Sequence, residues 1–232
     1  MPVAPGLLHP AKALKEAVSG LPREFWWLWV STLVNRLGGF VTTFLSLYLT
    51  AGRGYSASYA GLVAATYGLG GAIAGVAGGM LADRFGRRPT LLASQLATAA
   101  AMTTLGFIQE PLAIVVVATA LGFTANASRP CIQAVIADVV PPADQVRAFS
   151  LNYWAVNLGF AVASATAGLI AEKGYLYLFL GNAVSVLICA FLIYLKVPET
   201  RPGGPAAPAP RGSAEPTGTT DRKSVVEGKS VD

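Results

Sequence analysis

Residues 79–91 read Gly-Met-Leu-Ala-Asp-Arg-Phe-Gly-Arg-Arg-Pro-Thr-Leu, and this stretch is the most informative part of the sequence. Its charged part, Asp83 to Arg88, lies between two long apolar runs. A short basic loop between apolar runs is expected where a chain leaves a lipid bilayer and immediately crosses it again. The stretch therefore predicts two transmembrane helices that are joined by a tight loop.

The composition of the whole chain agrees with a membrane protein. Hydrophobic residues make up 53% of the 232 residues and charged residues 12%, against about a quarter charged in soluble domains. Apolar runs of about 18 residues or more recur, each long enough to cross roughly 30 Å of hydrocarbon. We therefore expect an all-α membrane protein with six transmembrane helices. The predicted spans are residues 25–49, 58–81, 90–109, 112–137, 149–171 and 174–196.

The charges outside the spans predict the orientation of the chain. Residues 1–24 are polar to mixed and contain no recognisable cleavable signal, so we expect a cytoplasmic N-terminal tail. With that end inside, the basic residues concentrate on the cytoplasmic side of a multi-pass protein in the cell membrane, as the positive-inside rule requires. The inner set is Lys12, Lys15, Arg23, Arg84, Arg87, Arg88, Arg147, Lys196 and Arg201, and the outer set is Arg53 and Lys173.

The C-terminal residues differ in character from the six-helix bundle expected at residues 25–197. Residues 198–232 begin with a chain rich in proline, glycine and alanine, which is typical of a disordered linker. Residues 221–232 resemble a translated sequencing adapter and are expected to be non-native. We therefore expect a fragment of a longer protein.

The stretch at residues 79–91 resembles a motif of the major facilitator superfamily of secondary transporters. That motif, G-x-L-a-D-r-x-G-r-[RK]-x-x-l, joins helices 2 and 3 of the family. The resemblance covers about residues 25–200 and implies the N-terminal six-helix half of a transporter. It also implies a missing C-terminal six-helix half and alternating access to a small solute between the halves. The matching residues are Gly79, Leu81, Ala82, Asp83, Arg84, Gly86, Arg87, Arg88 and Leu91.

The resemblance also gives the loop charges a role. It implies a network of Asp83, Arg87 and Asp138 at the cytoplasmic mouth, which holds an outward-facing state and breaks when the mouth opens. Partly desolvated ion pairs between helices can bias two rigid-body arrangements in this way. The alternative is that the basic residues only anchor the topology. The residues assigned to this gate are Gly79, Asp83, Arg84, Gly86, Arg87, Arg88 and Asp138.

Two arginines lie inside predicted spans. Arg36 and Arg129 fall about 17 and 12 Å from the cytoplasmic ends of spans 1 and 4, at about 1.5 Å per residue. An arginine at such a depth costs about 2.5–3.5 kcal/mol on insertion scales and needs a partner or a water-filled cavity. No aspartate or glutamate lies near the middle of a predicted span, so the sequence offers neither arginine a carboxylate at its own depth.

Three interpretations of the arginine pair stay open. The substrate is anionic or rich in acceptors, or a partner carboxylate belongs to the missing half. Otherwise the side chains bond backbone carbonyls and local Asn and Gln, or snorkel inward. Helices 1 and 4 line the central cavity of the resembled family, which favours the first two. The residues assigned to substrate binding or coupling are Arg36, Asn126, Arg129, Gln133 and Asn157.

Polar residues recur at helical spacing on three spans. Each alone is more often a contact between helices than a ligand contact, but together they predict a lined cavity. Pro130 removes a backbone hydrogen bond and is expected to allow a kink in span 4. The polar sets are Arg36, Gly39 and Thr43 in span 1; Asn126, Arg129 and Gln133 in span 4; and Asn152, Tyr153 and Asn157 in span 5.

Two glycine patterns bear on partners and coupling. Gly71, Gly75 and Gly79 share one face of span 2, where another backbone can approach closely, and the resemblance implies that the second half packs there. Drug–proton antiporters of the family carry G-x-x-x-G-P-x-x-G-G in helix 5. Residues 159–168 keep the small residues of that pattern without its proline, so the resemblance does not indicate antiport.

The sequence favours transport over other classes of function. One histidine and two separated cysteines assemble no nucleophile–base pair or metal cluster, so we expect no enzyme, metal site or cofactor. The net charge of +5 follows the topology and predicts no nucleic acid partner. The expected partners are the lipid bilayer, a small-molecule substrate, anionic or amphiphilic if exported, and the missing half. The alternatives are a non-transporting six-span scaffold or partner subunit, and a half-transporter that homodimerises through the glycine face.

Overall fold

The computed structural model describes residues 18–37, 39–171 and 174–197, and the regular secondary structure in these ranges is helical. A π-helical turn, Tyr48–Gly52, extends the second helix, and a 3-10 turn, Pro142–Asp144, precedes the sixth. The predictions for the N-terminal tail up to residue 17 and for residues 198–232 fall outside the described residues. The α-helices are α1 Arg23–Leu37, α2 Phe40–Leu47, α3 Ala57–Phe85, α4 Arg87–Phe107, α5 Pro111–Val139, α6 Gln145–Ala171 and α7 Tyr175–Lys196.

Within the described residues, three helices are long and apolar enough to cross a membrane, namely α3, α5 and α7. α1 and α2 are short, with 15 and 8 residues. α4 carries Ser94, Gln95 and several threonines along its length. The all-α fold with membrane-length helices therefore agrees with the sequence, while the count of six crossings stays a prediction.

The ends of the helices follow local sequence signals. α3 begins after Ser56, whose hydroxyl accepts a hydrogen bond from the Tyr59 N–H at 3.2 Å and so caps the helix. α5 begins with Pro111, at a position where the missing N–H costs nothing. The single span predicted over residues 25–49 is divided instead, because α1 ends at Leu37 and α2 begins after Gly39. Glycine has a low helix propensity, which favours a break there.

The contact between α3 and α5 is made by glycines. A Cβ added to Gly122 would lie 2.0 Å from the carbonyl oxygen of Tyr67, and one on Gly70 would lie 2.2 Å from that of Thr119. The backbones of the two helices are therefore in direct contact, as small residues in membrane helices allow. Gly78 makes a third such contact, since its Cβ would lie 2.7 Å from the Ala127 carbonyl oxygen.

Of the predicted glycine face, α5 covers Gly71 but not Gly75 or Gly79. A Cβ on Gly71 would meet the Asn126 amide at 2.9 Å, but Cβ atoms on Gly75 and Gly79 would meet nothing within 4 Å. Gly75 and Gly79 thus lie on a surface of α3 with no neighbour among the described residues. The family resemblance implied that the second half packs on this surface.

Two buried apolar clusters lie toward opposite ends of the bundle. The first includes Leu49, Leu105 and Ile114, and the second, at the end where α1 begins, includes Phe25 and Ile136. Buried polar side chains occupy the layer between the clusters, where the candidate site lies. These are Ser31, Thr32, Ser94, Gln95, Thr98, Ser128 and Asn182.

Candidate functional site

An open cavity of about 720 Å³ lies between α1, α5 and α6. Its lining brings together Arg36 of α1 with Arg129 and Gln133 of α5, three residues that the sequence assigned to substrate binding. α6 contributes Asn152 and Tyr153, which belong to the polar set predicted for span 5. The remaining lining residues are Thr32, Ile132, Phe149, Ser150, Trp154 and Val156.

A close approach of two helices fixes the base of Arg36 at the wall of this cavity. A Cβ added to Gly159 of α6 would lie 2.5 Å from the Cβ of Arg36 and 3.2 Å from the carbonyl oxygen of Leu33. Because Gly159 has no side chain, α6 packs directly on α1 at this level. Gly159, the first glycine of the helix-5 pattern, is therefore explained in this chain by its packing against α1.

The two arginines give the cavity its charge. Arg36 is half-buried and Arg129 is exposed to the cavity. Each lies within electrostatic range of the other and of Tyr67. No carboxylate of the described residues pairs with either guanidinium. A recess lined by like charges concentrates counter-ions, so this one attracts an anionic group.

Two of the predicted binding residues do not line the cavity. The Asn126 amide donates to the carbonyl oxygen of Gly122 at 2.8 Å, and the Asn157 amide donates to that of Tyr153 at 2.7 Å. Asn126 also packs against Gly71, so the contact between α3 and α5 covers it. The side chain of Thr43, predicted on the face of Arg36, lies outside the described part of the chain.

The lining includes residues that the sequence analysis did not single out. Thr32 precedes Arg36 by one helical turn, and this spacing is a signal that could have identified it. The Thr32 hydroxyl and the side-chain amide oxygen (Oδ1) of Asn152 are buried and have no hydrogen-bond partner among the described residues. The aromatic Trp154 is 71% exposed and follows Tyr153, itself 69% exposed. The cavity therefore combines cations, free polar groups and an aromatic wall.

The turn between α3 and α4 requires glycine. Gly86 has φ +97° and ψ 157°, a combination that side chains other than glycine almost never adopt. Its N–H donates to the carbonyl oxygen of Ala82 at 3.0 Å, and its carbonyl oxygen accepts from the Thr90 hydroxyl at 2.8 Å. The conformation of Gly86 aims α4 back along the bundle.

Two of the residues assigned to the gate are in contact within the chain. Arg87 forms an ion pair with Asp138 and donates to the carbonyl oxygen of Ala134 at 2.9 Å. A cation is favoured at the C-terminus of a helix, where α5 leaves unpaired carbonyls. Asp83 is exposed and forms no ion pair with a described residue. Of the three-residue network, the described ion pairs include that of Arg87 and Asp138, and the role of these residues as a gate stays a prediction.

The other gate residues separate into two groups. Arg88 donates to the carbonyl oxygen of Tyr194 and lies over its ring, 5.1 Å from the centroid. Arg84 is exposed, with its guanidinium 5.5 Å from the centroid of the Phe85 ring. Gly79 has open space where a side chain would be. Arg87, Arg88 and Asp138 therefore make contacts between helices and Gly86 forms the turn, while Gly79, Asp83 and Arg84 face outward.

Comparison with known proteins agrees with this architecture. The family model described as Major Facilitator Superfamily matches residues 28–228. An uncharacterized MFS-type transporter of Bacillus subtilis, YttB, is 32% identical over 176 residues, which are 75% of this chain and 44% of that protein. The multi-drug resistance efflux pump PmrA homolog of Lactococcus lactis is 24% identical, over 81% of this chain and 47% of that protein.

The fold is also similar to solved structures. The crystal structure of the peptide transporter POT in complex with sulfate matches with a TM-score of 0.69 at 20% identity. The match covers 76% of this chain and 38% of that one. The chain spans less than half the length of the relatives it matches.

Proposed function

The chain belongs to the major facilitator superfamily, and from this premise we propose that it forms the N-terminal half of a secondary active transporter. The complete protein moves a small solute by alternating access, with the solute held between two six-helix halves. In this arrangement the second half closes the cavity between α1, α5 and α6 from the side that is open here. The N-terminus lies in the cytoplasm and the protein resides in the cell membrane.

The arginine pair carries this proposal. Arg36 and Arg129 line one cavity of about 720 Å³, and no described carboxylate pairs with them. Charged groups within a membrane protein are costly unless they serve a water-filled cavity, a partner charge or a ligand. We propose that both arginines bind the substrate, or that they pair with a carboxylate of the second half until the substrate displaces it.

The chemistry of the lining indicates the class of substrate. Two cations favour a carboxylate, sulfate or phosphate group, and the aromatic surface of Tyr153 and Trp154 favours an apolar body. An anionic amphiphile satisfies both parts of the cavity. Export is the favoured direction, because one relative is named as a multi-drug resistance efflux pump.

The ion pair of Arg87 and Asp138 supplies one element of the gate. In the outward-facing state, the second half packs on the exposed surface of Gly75, Gly79 and Asp83, and the cytoplasmic mouth is closed. When the mouth opens, this contact separates, while the pair within the chain keeps the ends of α4 and α5 together. The bundle then rotates as a rigid body.

Transport by the full-length protein tests the proposal. In vesicles, Arg129→Ala is expected to abolish transport of an anionic amphiphile at unchanged expression, while Arg129→Lys retains part of the activity because it keeps the charge. Arg23→Ala is the matched control, since Arg23 is an exposed cation of α1 outside the cavity. Unchanged transport by Arg129→Ala would show that Arg129 does not belong to the substrate site.

A second measurement distinguishes a half of a transporter from a homodimeric half-transporter and from a non-transporting scaffold. The 232-residue chain alone, reconstituted in vesicles, is expected to show no transport, because it lacks the second half. Transport by the chain alone would favour a homodimeric half-transporter. A full-length protein that is folded but transports none of the anionic, sugar or amphiphilic solutes of a broad panel would favour a scaffold.

A further inference from the structure

A second, shallower cavity of about 300 Å³ lies at the end of the bundle where α1 begins. Its walls are Glu24 at the start of α1, Arg88 at the start of α4, and residues 194–197 at the end of α7. We propose that this cavity binds the headgroup of an anionic phospholipid, with the lipid phosphate between Arg88 and Lys196. The proposal requires the membrane location of the chain but not its transport function.

The position of the cavity matches the level of lipid headgroups. α7 is long and apolar enough to cross a membrane, so its last residues lie where hydrocarbon gives way to headgroups. Tyr194 and Trp27 lie at this level, and such aromatic side chains are enriched at membrane–water interfaces. A ligand in this cavity therefore meets the bilayer surface rather than the transport pathway.

Both cations of the cavity are held in place by aromatic rings. The Lys196 ammonium lies 5.2 Å from the centroid of the Trp27 ring, and the Arg88 guanidinium lies 5.1 Å from that of Tyr194. Arg88 also donates through Nη2 to the Tyr194 carbonyl oxygen, which leaves Nη1 for an acceptor. Because the two side chains are already ordered, binding of a phosphate costs less conformational entropy.

An exposed apolar strip leads from this cavity toward the middle of α7. Leu195, Phe191, Ile188 and Val184 follow one another at three- or four-residue spacing, and each is between 47% and 61% exposed. Residues at this spacing share one face of a helix. The strip is thus placed to contact an acyl chain whose phosphate lies between Arg88 and Lys196.

Glu24 narrows the choice of headgroup. With one carboxylate against two cations, the cavity has a net charge of +1 when all three groups are ionised, which complements a phosphodiester with a single negative charge. The carboxylate of Glu24 accepts hydrogen bonds from hydroxyl groups but repels a second negative charge. Phosphatidylglycerol has a single charge and free hydroxyls, so it fits better than phosphatidic acid.

Native mass spectrometry of the detergent-solubilised chain tests the proposal. The probes are phosphatidylglycerol, phosphatidylcholine with the same acyl chains, and soluble glycerol phosphate. Wild type is expected to retain phosphatidylglycerol in preference to phosphatidylcholine. Lys196→Gln is expected to weaken the binding of phosphatidylglycerol about fivefold, which is the loss of affinity expected for one basic side chain at a membrane surface. Arg23→Gln, which removes an exposed cation outside the cavity at the same end, is expected to change nothing.

Three results would overturn the assignment. Equal retention of the two lipids by wild type would exclude a headgroup site. An equal loss in Lys196→Gln and Arg23→Gln would indicate diffuse attraction instead of a site. Binding of glycerol phosphate as tight as that of phosphatidylglycerol would assign the cavity to a soluble phosphate. Arg88→Gln is a second variant, and Lys196→Gln carries the test if the loss of the Tyr194 contact prevents folding.

Discussion

Arg87 and Asp138 form an ion pair that ties the first residue of α4 to the last turn of α5. The pair is partly shielded from solvent, with side-chain exposures of 13% for Arg87 and 33% for Asp138. Asp83, one turn before Arg87 in sequence, remains exposed on α3. The charges that form a single motif in the sequence are therefore divided between an internal contact and an outer surface.

Breaking this pair is expected to destabilise the chain. Asp138→Asn leaves Arg87 partly buried without its carboxylate, and such a loss costs about 1–3 kcal/mol. Thermal unfolding in detergent, followed by circular dichroism, measures the effect. Asp83→Asn is the matched control and is expected to leave the unfolding temperature unchanged, because Asp83 has no described ion pair.

The double variant Arg87→Gln/Asp138→Asn separates pairing from other effects. If the two side chains stabilise the chain through each other, its loss of stability is smaller than the sum of the single losses. Additive losses would show that each residue acts independently, for instance Arg87 through its bond to the Ala134 carbonyl oxygen.

Adding a methyl group between α3 and α5 is expected to be costly. In Gly122→Ala the new Cβ would lie 2.0 Å from the carbonyl oxygen of Tyr67, so the helices must separate. Overpacking of this kind costs about 1–3 kcal/mol and sometimes more. Thermal unfolding in detergent is expected to show this as a lower midpoint.

Gly75→Ala in α3 is the control for Gly122→Ala in α5. A Cβ on Gly75 would meet nothing within 4 Å, and alanine has the higher helix propensity by up to about 1 kcal/mol. The chain with Gly75→Ala is therefore expected to be as stable as wild type or slightly more stable. Equal destabilisation by both substitutions would contradict the glycine-mediated contact.

The glycines show which part of the packing could be predicted from the sequence. The four-residue spacing of Gly71, Gly75 and Gly79 predicted a close contact with the second half, which stays a prediction, but it did not single out Gly70 and Gly78, which contact the backbone of α5. These two sets lie on adjacent faces of one helix, and the sequence spacing fits either face. Only the position of α5 decides between them, and that position depends on tertiary contacts distributed over the whole bundle.

The candidate site could also be predicted only in part from the sequence. The depth of Arg36 and Arg129 follows from counting residues along apolar runs, and the structure does place both at one cavity. Asn126 shares their helical spacing but packs against Gly71 of α3. The sequence of α5 alone does not show this contact. The end of α1 at Leu37 was missed because hydrophobicity continues past it, although the adjacent glycines are a local signal.

Gly86→Ala is expected to strain the turn between α3 and α4. The backbone of Gly86, at φ +97° and ψ 157°, lies in a region that is essentially restricted to glycine, and a residue forced into it costs about 1–3 kcal/mol. Gly86→Asn is expected to be no better, because asparagine tolerates the left-handed helical region and not this one. A rescue by asparagine in thermal unfolding would contradict the described turn.

The open glycine surface of α3 predicts a difference between this chain and the full-length protein. Gly75 and Gly79 have no neighbour within 4 Å of an added Cβ, and the chain spans less than half the length of its relatives. If the second half packs on this surface, Gly79→Leu leaves the unfolding temperature of the 232-residue chain unchanged but abolishes transport by the full-length protein at normal expression. Gly61→Leu, equally open but near the opposite end of α3, controls for the added apolar volume. Vesicle transport that survives Gly79→Leu would show that this surface faces lipid, since a leucine there would then be accommodated by acyl chains.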